Sequence, residues 1–516
     1  MMIDQAPALI IIVPLFVSLV LTLAGSLGPR VAYGLLLCGM AGSLLFSLLA
    51  LGQVVTDNQA IHYRMGDWPP PMGIELVIDH LSGLVLVLVS ACALLTAIYS
   101  LRTAAEDNPD RLNHYYALFA LLVTGLLGMT ASGDVFNLYV LLEISALSSY
   151  GLLARGRGPA YYATFKYLIV GTIGACFYLL GIGYLYIMTG SLNMLDLAEI
   201  ISRPELQDSV SIKIGFSLMI LGVWIKMALF PLHAWLPNAY SKAGITTACL
   251  IAPLMTKVSV YIMLRIMFTV FSVDYIFDSI AWSQVVIYLA SAAAVIGMIT
   301  ALAQRDLRMM LTYIVVAEIG YMTGGAWVAN AAGYTGAVYH ILADGLMTLC
   351  LFMAVGAVIY RTGQTSLAAM QGIFKRMPIT AVVLVIGAAS IIGIPPTCGF
   401  FSKFYLIQGA AQAGAWVFVA ALLIASLVAA VMFFKMLEIA FFGDLKALEQ
   451  EPGGGHGHGS HDGHDGHGAL PAVARQEAPL SMLIPMVITA ASLIILGLYT
   501  KEVVNYFIGW SIPAGF

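Results

Sequence analysis

Long apolar runs, separated by short polar segments, follow one another along almost the whole chain. Most runs hold about 20 residues or more, the length that a helix needs to cross the hydrocarbon core of a bilayer. Since every backbone group in that core must be bonded within its own segment, we interpret the runs as transmembrane helices. The pattern predicts fourteen spans, at residues 8–28, 31–53, 78–101, 112–131, 134–154, 162–189, 212–236, 244–271, 280–302, 308–329, 333–360, 379–408, 412–442 and 480–507.

Lysine and arginine are distributed unevenly between the loops of the two sides. Loops that follow odd-numbered spans hold most of them, whereas those that follow even-numbered spans hold only Arg64 and Arg203, with Arg265 near the corresponding end of span 8. Cytoplasmic loops of membrane proteins carry such an excess of basic residues. The sequence therefore predicts a multi-pass protein of the bacterial cytoplasmic (inner) membrane with both termini on the outer side.

Prolines interrupt two of the predicted spans. Pro231 and Pro237 flank His233 in span 7, and Pro395 with Pro396 lies in span 12. Proline removes an amide donor and breaks a helix. Paired interruptions at corresponding places are typical of inverted-repeat transporters. We therefore predict an all-α integral membrane protein with two inverted five-helix repeats, formed by spans 4–8 and 9–13.

This interpretation divides the chain into five segments. They are the first three spans (1–110), the first repeat (111–272), the second repeat (273–445), a His/Gly-rich cytoplasmic loop (446–479) and the last span (480–516).

The loop contains a low-complexity stretch, GGGHGHGSHDGHDGHG. Neutral imidazoles bind zinc, nickel or copper, but the glycines fix no coordination geometry. We interpret the stretch as a flexible, solvated loop with only weak metal-binding candidates. The candidates are His456, His458, His461, His464 and His467.

The composition agrees with a membrane protein and excludes several other classes. Hydrophobic residues make up 60% of the chain and charged residues 10%, against about 25% charged residues in soluble domains. The net charge of −4 gives no sign of nucleic-acid binding. The sequence has no dinucleotide-binding glycine motif, P-loop or hydrolase triad. It therefore predicts an ion transporter, not an enzyme, and no cofactor.

Three charged residues lie within apolar runs, and two of them are close to the prolines: Glu143, Lys226 and Lys403. A charge at the centre of a bilayer costs about 2.5–3.5 kcal/mol on insertion scales, so it persists where it is paired, hydrated or used. We expect Glu143 and Lys226 to pair, since opposite charges offset each other's desolvation. Lys226 also precedes His233 by seven residues, which predicts one shared helix face.

Further ionisable residues lie in the second half of the chain. Lys257 is near the middle of span 8, and Glu318, which we interpret as a supporting residue, lies in span 10. His340 and Asp344 are four residues apart in span 11, so they share a helix face. A carboxylate beside a histidine can fix its tautomer, and we expect Asp344 to orient His340.

Four segments are similar, in the same order, to the antiporter-like membrane subunits shared by Mrp-type multisubunit sodium/proton antiporters and respiratory complex I. The similarity covers residues from about 75 to 440, and FNLYV before Glu143 resembles the D subunit of the Mrp antiporter most. The segments are GDVFNLYVLLEISALSSYGLL (133–153), KMALFPLHAWLP (226–237), ALAQRDLRMMLTY (301–313) and GIPPTCGFFSKF (393–404).

The resemblance implies a proton relay. By position, Glu143 and Lys226 match the family's ion pair, Lys257 its central lysine, His340 a relay histidine and Lys403 the terminal residue. We predict that Asp344, beside His340, belongs to the same relay. Two stretches depart from the family pattern. AGITTACL (243–250) replaces a proline-rich stretch that enters span 8, and Asp344 and Thr348 occupy places where the family commonly has basic groups.

The resulting hypothesis is a proton-translocating subunit of a multisubunit monovalent cation/proton antiporter, similar to the Mrp D subunit. Its partners would be other membrane subunits, the lipid bilayer, protons and Na⁺ or K⁺, but no nucleic acid. The first alternative is a pumping subunit of a complex I-like or hydrogenase-like redox complex. The others are a weakly conducting scaffold subunit and a partner of an inorganic-carbon uptake complex.

Overall fold

The computed structural model describes residues 5–23, 28–107, 111–155, 158–442 and 476–516. The histidine-rich stretch and its five candidate metal ligands lie outside the described residues. Among the described residues, no group of three or more His, Cys, Asp or Glu side chains is placed to hold a metal ion.

Helices make up most of the described chain. The α-helices are α1 (Ala6–Leu23), α2 (Pro29–Asp57), α3 (His80–Asp107), α4 (Leu112–Ala131), α5 (Val135–Leu153), α6 (Pro159–Thr189), α7 (Met194–Ile201), α8 (Pro204–Gln207), α9 (Val210–Met227), α10 (Leu236–Ser241), α11 (Ile245–Arg265), α12 (Ser283–Ala303), α13 (Leu307–Trp327), α14 (Ala331–Thr362), α15 (Ile373–Arg376), α16 (Pro378–Ile392), α17 (Cys398–Gln412), α18 (Trp416–Phe442), α19 (Leu480–Leu498) and α20 (Thr500–Val503). Short 3₁₀ segments are Met65–Asp67, Leu367–Met370 and Gly509–Ser511, and π segments are Ile266–Val270, Tyr275–Ile280 and Val504–Ile508.

Thirteen helices in the described part of the chain are long and apolar enough to cross a membrane. The predicted all-α, multi-pass membrane fold is therefore confirmed. The predicted span 12 corresponds to α16 and α17, which have 15 residues each and are separated by residues 393–397. The two inverted repeats stay a prediction.

A two-stranded antiparallel hairpin, which the sequence analysis did not predict, connects α2 and α3. Its strands are β1 (Ile61–Arg64) and β2 (Glu75–Ile78). The Glu75 carbonyl accepts a hydrogen bond from Gly133 N at 2.9 Å, and its carboxylate accepts one from Asn193 Nδ2 at 3.0 Å. The hairpin thus binds the α4–α5 turn and the start of α7 together. Each strand has four residues, so any alternation of buried and exposed side chains is too short to be recognised in a sequence dominated by long apolar runs.

Three helices form the centre of the bundle. In the most apolar stretch of each helix, the share of buried residues is 100% for α14, 94% for α11 and 89% for α13. It is 39% for α2 and α6. The chain therefore surrounds α11, α13 and α14 with its other helices. These three carry Lys257, Glu318, His340 and Asp344, so a charge in them meets protein on all sides.

Both proline-containing interruptions lie where the sequence analysis predicted them. α9 ends at Met227, Ala228 has a positive φ of 62°, and α10 begins only at Leu236. α16 ends before Gly393, with φ 91°. The first interruption makes one expectation wrong: His233 lies beyond the end of α9, so it does not share a helix face with Lys226.

Candidate functional site

Glu143 and Lys226 form an ion pair between α5 and α9. Lys226 Nζ donates to Glu143 Oε1 at 3.2 Å. Lys226 lies in the last turn of α9, where the partial negative charge of the helix end favours an ammonium. The lysine side chain is 6% exposed, but the carboxylate is 27% exposed, so Glu143 is less buried than its apolar surroundings in the sequence suggest.

Asp344 pairs with Lys257, not with His340. Lys257 Nζ lies 2.9 Å from Asp344 Oδ2, and both side chains are fully buried. Asp344 Oδ2 has no hydrogen bond of good geometry to any described residue, so the contact is an ion pair by distance. The expectation that Asp344 orients His340 is wrong, because α14 packs against α11 on one side and against α13 and α17 on others.

Thr348 completes this site. Its hydroxyl donates to Asp344 Oδ1 at 2.7 Å and accepts from Lys257 Nζ at 3.3 Å. Thr348 and Asp344 are the two residues of span 11 that the sequence analysis expected to depart from the family pattern. Both contact the same buried lysine.

His340 lies between α13 and α17. Its Nε2 makes a close contact with Glu318 Oε2, and its Nδ1 is 2.8 Å from Ser402 Oγ. Both side chains of this contact are fully buried. The other carboxylate oxygen, Glu318 Oε1, has no hydrogen-bond partner among the described residues. Glu318, which the sequence analysis interpreted as a supporting residue, is thus the direct partner of His340.

Lys403 Nζ donates to the Ile391 carbonyl at 2.5 Å and to Ser426 Oγ at 3.1 Å. The Ile391 carbonyl lies in the last turn of α16, which ends at Ile392, so it has no partner within the helix. Lys403 Nζ also lies 5.0 Å from the centre of the Tyr321 ring. The proline-containing interruption thus supplies a ligand for the buried ammonium.

His233 stands apart from these pairs. Its ring stacks on Phe230, with centroids 5.3 Å apart, and faces the edge of Tyr313 at 6.5 Å. The structure therefore gives His233 an aromatic environment in the linker and does not bring it into contact with Glu143 or Lys226 within ion-pair distance.

The four charged sites lie on helices that pack against one another in order. α5 packs on α6, α6 on α9, α9 on α11, α11 on α14, and α14 on α13 and α17. The order of sites is Glu143–Lys226, Lys257–Asp344, Glu318–His340 and Lys403. An uninterrupted set of neighbouring helices thus carries ionisable groups from one side of the bundle to the other.

A further ion pair, which the sequence analysis missed, joins Asp79 and Arg265 beside the hairpin. Arg265 Nη2 lies 2.5 Å from Asp79 Oδ1, and Arg265 Nε donates to Tyr261 at 2.7 Å. Burial raises the pKa of Asp79, but the charge of Arg265 and hydrogen bonds from Arg265 and Ser82 outweigh it and lower the pKa to about 2. Asp79 at the start of span 3 and Arg265 near the end of span 8 carry opposite charges, and this was the signal in the sequence that could have revealed the pair.

Comparison with known proteins gives a consistent result. The sequence profile of the family described as "NADH:quinone oxidoreductase/Mrp antiporter, TM" matches residues 132–429. The chain is 41% identical to the N subunit of the NADH-quinone oxidoreductase of Desulforudis audaxviator over 98% of both chains. It is 31% identical to the D subunit of the Na(+)/H(+) antiporter of Bacillus subtilis, over 74% of this chain and 76% of that protein.

Solved structures agree with these relatives. A chain of the archaeal membrane-bound sulfane sulfur reductase superposes with a TM-score of 0.87 at 27% identity, over 98% of this chain and 97% of that one. A chain of the Mrp complex from Dietzia gives 0.86 at 25% identity, over 99% and 97%. The resemblance inferred from the four sequence segments is confirmed.

Proposed function

Because the chain belongs to the family of membrane proteins shared by NADH:quinone oxidoreductases and Mrp antiporters, we propose that it translocates protons as one subunit of a multisubunit complex. More specifically, we propose a monovalent cation/proton antiporter in which this chain takes the place of the D subunit. The proposal places the chain in the bacterial inner membrane, with both termini outside, beside other membrane subunits.

The observation that carries the proposal is the row of buried ionisable sites through the centre of the bundle. Buried charges are expensive in a membrane protein and mark ion pathways by default. Here Lys257, Asp344, Glu318 and His340 are fully buried, and each lies within ion-pair distance of its partner. A merely structural bundle would gain as much stability from apolar residues of the same size.

Each pair can hold or release a proton according to the state of its neighbour, since a nearby charge changes the proton affinity of a titratable group. Glu143 is the most exposed member, and we assign it the place at which protons enter the row. Lys257 and Asp344 are suited to pass charge across the centre, with Thr348 orienting both. Lys403, held by a carbonyl and a hydroxyl, is the last cation of the row.

A second candidate is a proton-pumping subunit of a redox-driven complex. The observation that favours it is the identity of 41% with the N subunit of a NADH-quinone oxidoreductase over nearly the whole of both chains. The same row of charges would serve either assembly, because the antiporter relatives are similar over most of the chain as well.

The test uses the complete complex, purified in mild detergent and reconstituted into vesicles. Lys226→Ala is expected to abolish proton movement while insertion and assembly stay normal, because Glu143 then has no counter-charge. Glu106→Gln is a matched control, since that carboxylate lies at the surface, where it accepts a hydrogen bond from Tyr360. Proton transport at the wild-type rate in Lys226→Ala would favour the scaffold hypothesis.

The same vesicles separate the two candidate assemblies. An antiporter collapses an imposed pH gradient when Na⁺ or K⁺ is added. A redox-driven pump builds a gradient when an electron donor and an acceptor are supplied. The subunits that copurify with the chain give an independent answer.

A further inference from the structure

Four aromatic side chains form a continuous cluster between α5, α6 and α10. The Tyr150 ring meets the Tyr167 ring edge-on, with centroids 4.7 Å apart. Tyr167 stacks on Trp235 at 4.1 Å, and Trp235 meets the edge of Tyr240 at 6.0 Å. All four side chains are buried. We call this set the aromatic cluster.

The cluster is attached to the first ion pair. The indole Nε1 of Trp235 donates to the carbonyl of Ile225 at 3.1 Å, one residue before Lys226. Glu143 and Tyr150 both lie on α5, seven residues apart, so they are on the same face of the helix, two turns from each other. The Tyr150 end of the cluster thus lies on the face of α5 that carries the acidic member of the pair.

Two of these hydroxyls are buried without a hydrogen-bond partner in the part of the chain that the structure describes. They belong to Tyr150 and Tyr240, whose side chains are 6% and 0% exposed. Buried polar groups in native proteins are nearly always satisfied, and those that lack a protein partner are the groups to which ordered water binds. If only the rings mattered for packing, phenylalanine would serve at both positions without this penalty.

The backbone of α6 makes room for one of the two hydroxyls. A Cβ atom built on Gly171 would lie 2.1 Å from Tyr150 Oη, a distance that no side chain tolerates. Only glycine lets the hydroxyl of Tyr150 lie against α6 at this point. The absence of a side chain at Gly171 therefore leaves the space that the Tyr150 hydroxyl occupies.

A polar basin of about 510 Å³ opens beside the cluster, at the end of the bundle that is predicted to face the cytoplasm. Its lining includes the basic residues Arg155, Lys242 and Arg308, together with Ser241. Ser241 follows Tyr240 directly, and its hydroxyl is also buried without a partner among the described residues. The basin thus reaches the residue next to the cluster.

We propose that the hydroxyls of Tyr240, Tyr167 and Tyr150, linked by buried water, form the path along which protons pass between this basin and Glu143. In each step a hydroxyl oxygen accepts a proton from one side and releases its own proton to the other. Each tyrosine is neutral before and after the step, and the proton ends on the Glu143 carboxylate. This inference rests on the proposed proton transport and adds the route by which protons reach its first site.

The test replaces single hydroxyls while it keeps the rings. Tyr150→Phe and Tyr240→Phe are each expected to slow proton transport by the reconstituted complex about tenfold, as for the loss of one hydrogen-bonded link. Gly171→Ala should act in the same way as Tyr150→Phe, because it displaces that hydroxyl. Tyr178→Phe is the matched control on α6, since that hydroxyl donates to the Val135 carbonyl at 3.3 Å; its transport is expected to stay at the wild-type rate.

Thermal stability separates a transport role from a structural one. If the two hydroxyls were idle, both phenylalanine variants would be at least as stable as the wild type and would transport at its rate, and this would overturn the inference. With Lys226→Ala inactive in the same experiment, the proposed function would survive that result. A fully active Lys226→Ala complex would instead remove the proposed function and this route with it.

Discussion

The Asp344 carboxylate lies 2.9 Å from the Lys257 ammonium, and neither side chain reaches solvent. One residue comes from α14 and the other from α11, the two most buried helices of the bundle. An isolated ammonium at this depth would be costly. The Asp344 carboxylate in span 11 is thus the counter-charge of Lys257.

Asp344→Asn should therefore destabilise the protein as well as stop transport. Removing one member of a buried ion pair leaves an uncompensated charge and costs about 3–5 kcal/mol. We expect a lower midpoint of thermal unfolding in detergent and no proton movement in vesicles.

A double replacement separates the two effects of Asp344→Asn. Lys257→Met combined with Asp344→Leu removes both charges and should recover most of the lost stability, since apolar residues often replace a buried pair without loss. Transport should stay absent. Recovery of transport in the double variant would show that the pair is structural.

Glu318→Gln should stop transport with only a small loss of stability. The amide keeps the shape of the side chain and can still bond to His340, whose other ring nitrogen stays on Ser402. What it loses is the charge and the ability to carry a proton. The measurement is proton uptake together with the yield of assembled complex. Uptake at the wild-type rate would exclude the Glu318–His340 pair from the pathway.

Much of the fold could be predicted, because in a bilayer length and apolarity alone identify a helix. Residues 112–131, for example, form α4 with the predicted bounds. The prolines at 231 and 395 similarly located both interruptions, since proline acts on the backbone of its own helix. The hairpin after α2 depends on contacts of Glu75 with distant residues, and no local pattern in the sequence indicates it.

The sequence identifies the charged residues of the candidate site, but it does not show which of them are partners. A charge within an apolar run is visible in the sequence, so Lys257, Glu318 and Asp344 could be identified. Which of them meet depends on how helices far apart in the chain pack. The i,i+4 spacing of His340 and Asp344 was misleading, because residues on one face of a helix can still contact different neighbouring helices.

Deletion of residues 453–468 should leave transport and assembly unchanged. The glycine-rich sequence predicts neither a fixed fold nor a fixed coordination geometry for its histidines. The measurement is proton transport by vesicles that carry the shortened chain, with and without added zinc or nickel. A loss of transport that depends on either metal would contradict the interpretation of this stretch as a dispensable loop.

The Asp79→Asn variant should be less stable than the wild type at neutral pH, and this difference in stability should disappear in acid. The pKa of Asp79 is lowered to about 2 in the folded protein, from about 3.9 for an unperturbed aspartate. A depressed folded-state pKa gives stability that is complete above the unfolded pKa and is lost as the pH falls through the folded pKa. The difference in unfolding midpoint between wild type and Asp79→Asn should therefore be largest above about pH 4 and shrink toward about pH 2.

The matched control for this pH dependence is Asp208→Asn. Asp208 also pairs with a basic residue, since Lys213 Nζ lies 3.2 Å away, but its side chain is 98% exposed. Exposed ion pairs contribute about 0–1 kcal/mol, so this variant should unfold like the wild type at every pH. Thermal unfolding in detergent from pH 7 down into the acid range measures all three proteins. A difference between wild type and Asp79→Asn that stays constant with pH would mean that Arg265 stabilises the hairpin region without using the charge of Asp79.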